Sequence, residues 1–138
     1  MWTRAFPPIE GAASLGTSAD RRDVLIVEDE PLSAIVLEHE VRKAGGRVVG
    51  PAGDLAAALT LAREARFDAA LLDVNLRGVM TYPVAEVLIA RRIPFAFLTG
   101  YTRAMLPPAL QACLLVAKPV FPACIRQVFE TLVAGSRG

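Results

Sequence analysis

In the stretch "FDAALLDVNLRG", residues 67–78, an apolar β-prone run stops on a bare carboxylate, Asp73, followed at once by Asn75 and the loop-forming Gly78. An unpaired carboxylate is costly to withdraw from water. Asp73 is therefore expected at the rim of a sheet, matched to a cation, or both.

On both sides of this run, short β-rich segments alternate with stretches of helical period, the pattern of βαβ units and a parallel sheet. Upstream, "VLIV" (24–27) predicts a first strand. A helix opened by Pro31 and closed near Gly45 follows, with Ala34, Leu37, Val41 and Ala44 on one face. "RVVG" (47–50) predicts a weaker second strand. Asp54 is placed to cap a helix in which Leu55, Ala58, Leu59 and Ala62 recur on one stripe. The third strand is "AALLD" (69–73). Downstream come a helix through Val84, Val87 and Leu88, the strand "PFAFLT" (94–99) and the strand "CLLVAK" (113–118). Between those two strands, Pro107 and Pro108 allow "TRAMLPPALQ" at most a short or broken helix. A last helix buries Ile125, Val128, Phe129 and Leu132. Right-handed crossovers then build an open, doubly wound α/β sheet of five parallel strands with helices on both faces.

The chain has 138 residues, 54% hydrophobic and 21% charged, as expected of one globular domain. Residues 1–22, rich in Pro, Gly, Ala, Ser and Thr, are expected as an N-terminal tail or arm, 23–134 as the domain and 135–138 as a C-terminal tail. Fifteen basic against fourteen acidic residues give a net charge of +1, no footprint for nucleic acid or an acidic membrane surface. Cys113 and Cys124 form neither a disulfide framework nor a metal cluster and are expected as small buried hydrophobes. With no apolar run of the ~18 residues that span a bilayer and no continuous hydrophobic segment at the start, the chain is expected to be cytoplasmic. The only histidine, His39, beside Glu38 and Glu40, is expected on a solvated helix face. Gly45, Gly46, Gly50 and Gly53 fit no phosphate-loop spacing and are expected to serve as a helix cap and turn.

In doubly wound sheets ligands bind outside the carboxyl ends of the strands. There the sequence places Glu28, Asp29 and Glu30 after the first strand, Asp73 on the third, Thr99 on the fourth and Lys118 on the fifth. Clustered carboxylates raise one another's pKa unless a cation lies among them, and an all-oxygen set favours Mg2+ or Mn2+. Lys118 and Thr99 are the charge and the hydroxyl wanted around a phosphoryl group in transfer, with Asp73 as its nucleophile.

The motifs "VLIVEDE", "LLDVNLRG", "FLTG" and "AKP", in this order on successive strand ends, resemble the response-regulator receiver domains of bacterial two-component signalling over residues 23 to about 134. The resemblance implies the flavodoxin-like (βα)5 receiver fold and a phosphorelay regulator that accepts a phosphoryl group on Asp73 with Mg2+. It implies Asp29 as a direct metal ligand, Glu28 as a second acid acting through water, and Asn75 as a ligand through its main-chain carbonyl, with Asp73 completing the set. Thr99 and Lys118 would bind the phosphoryl oxygens, and the Lys118–Pro119 bond is expected to be cis. The implied partners are a sensor histidine kinase or histidine phosphotransfer protein and a downstream protein, with homodimerisation left open. With only "AGSRG" after the last helix, signalling is expected through binding and without an output domain.

Two features depart from the family pattern. Three residues before Lys118, where the family carries a switch aromatic, stands Leu115, and "PFAFLTGY" is similar to a subgroup of stand-alone receivers with a Phe-Ala-Thr-Gly signature. Tyr101 is expected as an exposed loop residue, with an alternative switch aromatic as the second reading, and Arg77 as a solvated one. A mobile segment 99–112, ordered by Mg2+ or phosphorylation, is the expected consequence of Gly100 and the prolines. An enzyme is not expected. Phosphohydrolases attacking through a strand-end Asp place an acid two residues on, and Asn75 there cannot protonate a leaving group. A receiver fold that binds partners without phosphorylation is the alternative.

Overall fold

The computed structural model describes residues 21–137, so the expected N-terminal arm falls, but for its last two residues, outside the described residues. The strands are β1 (Asp23–Val27), β2 (Arg47–Ala52), β3 (Ala69–Asp73), a short hairpin of β4 (Asn75–Leu76) and β5 (Val79–Met80), β6 (Phe95–Thr99) and β7 (Leu114–Ala117). Interleaved are helices α1 (Pro31–Lys43), α2 (Leu55–Glu64), α3 (Tyr82–Ala90) and α4 (Pro122–Arg137). The last of these runs on past residue 134, where the domain was expected to end.

The main sheet has five parallel strands in the order β2-β1-β3-β6-β7, the doubly wound arrangement. Alternation along each strand feeds two cores, because successive side chains point to opposite faces. Leu25, Val27, Ala70, Leu72, Phe95 and Phe97 pack with Ala58, Ala62, Val84 and Leu88 of α2 and α3. Val24, Ile26, Ala69, Leu71, Ala96 and Leu98 pack with Leu37, Val41, Ile125, Val128 and Phe129 of α1 and α4. The apolar stripes expected of these helices are thus the faces they bury.

Local chemistry starts and ends the elements. The Asp54 carboxylate accepts from the Ala57 N–H at 2.8 Å, capping α2. The turn after α1 needs glycine at Gly46, where a Cβ would meet Phe129 Cζ and Val41 Cγ1 at 2.9 Å. Between β6 and β7 two 3-10 turns, Arg103–Met105 and Pro108–Leu110, replace a helix, as the paired prolines require. Leu106 and Leu110, each 2% exposed, cover the sheet in its place.

Three expectations change, and one element is new. The β4–β5 hairpin was not legible, since its strands are only two residues long. Cys113 and Cys124 are half-buried rather than buried, because β7 lies at the sheet edge and the first turn of α4 is open to solvent. Burial still pushes the Cys113 thiol above its ordinary value, against the opposing Arg103 guanidinium. Glu40 leaves the solvated face on which His39 remains and turns inward, 4% exposed, to meet Arg126 of α4 at 3.6 Å. Among the described residues, no helix is long and apolar enough to cross a membrane.

Candidate functional site

Parallel pairing brings the chemical residues to one rim. Glu28 follows β1, Asp73 ends β3, Thr99 ends β6 and Lys118 follows β7. The register pairs Asp73 with Leu98, one residue before Thr99, and Thr99 with Ala117, one residue before Lys118. Carboxylate oxygens of Glu28, Asp29 and Asp73 lie within 4.8 Å of one another. The Lys118 ammonium stands 2.9 Å from Asp73 Oδ2 and 3.3 Å from Glu28 Oε1. This is the cation that the apolar run ending on Asp73 called for.

The Glu28 side chain is 1% exposed, a position that an unpaired carboxylate could not hold without a penalty of several kcal/mol. Burial pushes its carboxyl above the ordinary 4.5, and the neighbouring Asp73 charge adds to the rise, while the Glu30 N–H and Lys118 pull the other way. For Lys118, burial works to lower the ammonium. The hydrogen bond and charge of Asp73, with those of Glu28, outweigh it and hold the group above 10.5. Backbone amides fix the remaining carboxylate oxygens: Glu30 N–H donates to Glu28 Oε2 and Asn75 N–H to Asp73 Oδ1, each at 3.1 Å.

Three residues take parts different from those expected or escaped notice. Arg77, in the left-handed conformation beside Gly78 at the tip of the β4–β5 turn, brings its Nε to 3.3 Å from Asp29 Oδ2. Tyr101 is half-buried: its hydroxyl accepts from Asn75 Nδ2 at 3.2 Å, and its own N–H donates to Thr99 Oγ1 at 2.9 Å. Arg77 stays solvated as expected, its side chain 79% exposed, whereas hydrogen bonds draw Tyr101 in; a loop position in the sequence reveals neither the ion pair nor the hydrogen bonds. Thr81, wholly buried, donates its hydroxyl to the Asp73 carbonyl at 2.7 Å and its N–H to the Val74 carbonyl at 2.8 Å. The only sequence sign of Thr81 was a hydroxyl residue just before the Tyr82-Pro83 helix start.

Thr99 is buried and makes no hydrogen bond to the carboxylates. Leu115 is half-buried against the core cluster that also receives Tyr101. The Lys118–Pro119 peptide is cis.

The donor set tests well for a hard divalent ion. It is all oxygen, anionic, and close to the spacing of about 3–4 Å between ligand oxygens that Mg–O distances of about 2.0–2.1 Å impose. The cations already present, Lys118 and Arg77, show that this rim gathers positive charge.

Residues 24–128 match the family model of the response regulator receiver domain. The chain belongs to that family. Receivers serve two-component signalling and are not typical enzymes. This receiver is similar to SdrG of Sphingomonas melonis Fr1, with 36% identity over 88% of this chain and 100% of that one, at a TM-score of 0.70. A receiver domain of the sensor histidine kinase PA1611 from Pseudomonas aeruginosa PAO1, 29% identical over 82% of this chain and 98% of that one at a TM-score of 0.68, holds a magnesium ion in its active-site cleft. The phyllosphere-induced regulator PhyR of Methylorubrum extorquens is 32% identical over 112 residues, 78% of this chain and 42% of PhyR. The receiver thus spans less than half the length of that curated relative.

Proposed function

We propose that this receiver accepts a phosphoryl group on Asp73 from the phosphohistidine of a kinase or phosphotransfer protein and passes the signal on by binding a further protein. One observation carries the reading: Asp73, 8% exposed at the rim, shares a single ammonium with Glu28, inside a cluster of three carboxylates. A carboxylate placed so needs no general base. Its oxygen forms the bond to phosphorus as the phosphorus–nitrogen bond breaks, and the imidazole departs with that electron pair.

Asp29 and Asp73, with Glu28 through water and the main-chain carbonyl of Asn75, would hold Mg2+. When bound, the ion neutralises charge on the phosphoryl oxygens and on the carboxylates. Lys118 and the Thr99 hydroxyl meet the other oxygens, and Asn75, having no acidic proton, leaves the acyl phosphate without a general acid. The similarity to SdrG, together with "PFAFLTGY" and Leu115, supports placing the chain among receivers with a Phe-Ala-Thr-Gly-type signature.

The test is an intact-mass measurement after incubation with Mg2+ and a small phosphodonor. Wild type gains the mass of one phosphoryl group and Asp73→Asn gains none. A wild type without mass gain turns the reading to a receiver fold that binds partners without phosphorylation.

A further inference from the structure

At the opposite end of the sheet from Asp73, five arginines surround a polar cleft of about 320 Å³: Arg21, Arg22, Arg47, Arg66 and Arg91. They arrive from separate elements: Arg21 and Arg22 before β1, Arg47 at the start of β2, Arg66 before β3 and Arg91 at the end of α3. Guanidiniums gathered around one space repel one another unless an anion lies among them.

The two carboxylates in the cleft do not meet that demand. Asp23 takes Arg47 Nε at 2.7 Å, while Asp68 accepts the Asp23 N–H at 2.8 Å and so serves to anchor β1. Arg91 donates to the Ala62 carbonyl and lies over the Phe67 ring, 5.2 Å from its centroid. Arg47 and Arg91 are therefore held walls. Among the described residues, Arg21, Arg22 and Arg66 form no ion pair. Five cations against two carboxylates leave a surplus of three positive charges here, in a chain whose net charge is +1.

We propose that this cleft binds an oligophosphate anion. Guanidinium forks fit phosphate oxygens two at a time, and several forks on one space favour a chain of phosphates over a single monoanion. The ring that could stack on a nucleobase, Phe67, is 8% exposed and already covered by Arg91, so recognition rests on the phosphates, whether free or borne by a nucleotide. The cleft lies at the amino ends of β1 and β3, whose carboxyl ends carry Glu28 and Asp73, and its occupancy is independent of the phosphoryl site.

Calorimetric titration of the full chain with inorganic tripolyphosphate, without Mg2+ and at constant ionic strength, tests this. Saturable one-to-one binding is expected, weakened about tenfold or more in Arg22→Ala/Arg66→Ala and unchanged in Asp73→Asn. Arg21→Gln/Arg66→Gln, checked for a native circular-dichroism spectrum, provides a second variant with little effect on folding. Equal affinity for ATP means that the phosphates suffice, and tighter ATP binding adds a base contact to the same site. No saturation, the same heat from sulfate, equal binding of hexaglutamate, or loss of binding in Asp73→Asn with retention in the arginine variants would each overturn the proposal.

Discussion

The side-chain amide of Asn75 donates to the Tyr101 hydroxyl across 3.2 Å, and the Tyr101 N–H donates in turn to Thr99 Oγ1. The β4–β5 hairpin that follows β3 and the loop that follows β6 are thereby joined beside the carboxylates. A neutral hydrogen bond contributes about 0.5–1.5 kcal/mol. Tyr101→Phe should therefore speed hydrogen exchange of the amides at 99–106 by up to about tenfold in the metal-free protein. The segment 99–112 should also gain protection when Mg2+ and a phosphoryl analogue are added to wild type. Exchange unchanged by the substitution would remove Tyr101 as the tie between the loops.

Thr81 acts on Asp73 through the main chain. Replacing its hydroxyl by a methyl in Thr81→Val keeps the shape but leaves the Asp73 carbonyl, buried beside it, without this donor. A loss of about 1–2 kcal/mol is expected. In urea denaturation it should appear as a lower midpoint with an unchanged slope. A midpoint equal to that of wild type would mean the carbonyl finds another partner.

The pH dependence around Lys118 has a defined sign. Its ammonium is held above 10.5, so its contribution is complete below that pH and is lost as the pH rises through the folded value. Glu28 is held above 4.5, so the folded chain keeps that proton longer than the unfolded one, and stability from this group falls as pH rises above 4.5 through its folded value. In Lys118→Met the two carboxylates face each other without their shared cation. The cost at pH 7 should be about 2–3 kcal/mol, less than for a fully buried pair because the Lys118 side chain is 31% exposed. At pH 4.5 the gap to wild type should narrow, because Glu28, held above that value, takes its proton back on the way down. Urea midpoints at both pH values measure it, and a gap independent of pH would contradict the account.

Arg77 pairs with the Asp29 carboxylate that a metal in the proposed site would use, and would compete with it. Its side chain is 79% exposed, so the ion pair is worth at most about 1 kcal/mol. Arg77→Ala should tighten Mg2+ binding by a few-fold, up to about fivefold, read from the Kd in a titration of the unphosphorylated protein. Weaker binding in the variant would show that the guanidinium organises Asp29 for the metal instead of shielding it.

By itself the sequence determined the order and type of the main elements. A buried parallel strand must be an apolar run, as "VLIV", "AALLD" and "PFAFLT" are, and a helix covering it must show an apolar stripe, as Ile125, Val128 and Phe129 do. It also determined which residues stand at the strand ends, because a charge that stops an apolar run is visible along the chain. What charge faces what was decided only by the tertiary structure. Lys118 reaches Asp73 and Glu28 across 45 and 90 residues of chain, Arg77 turns back to Asp29, and Thr81 grips the carbonyl of Asp73. The reason is physical: strand and helix periodicities are local, whereas the partner of a buried polar group is whichever donor or cation the sheet order and loop course bring within about 3 Å.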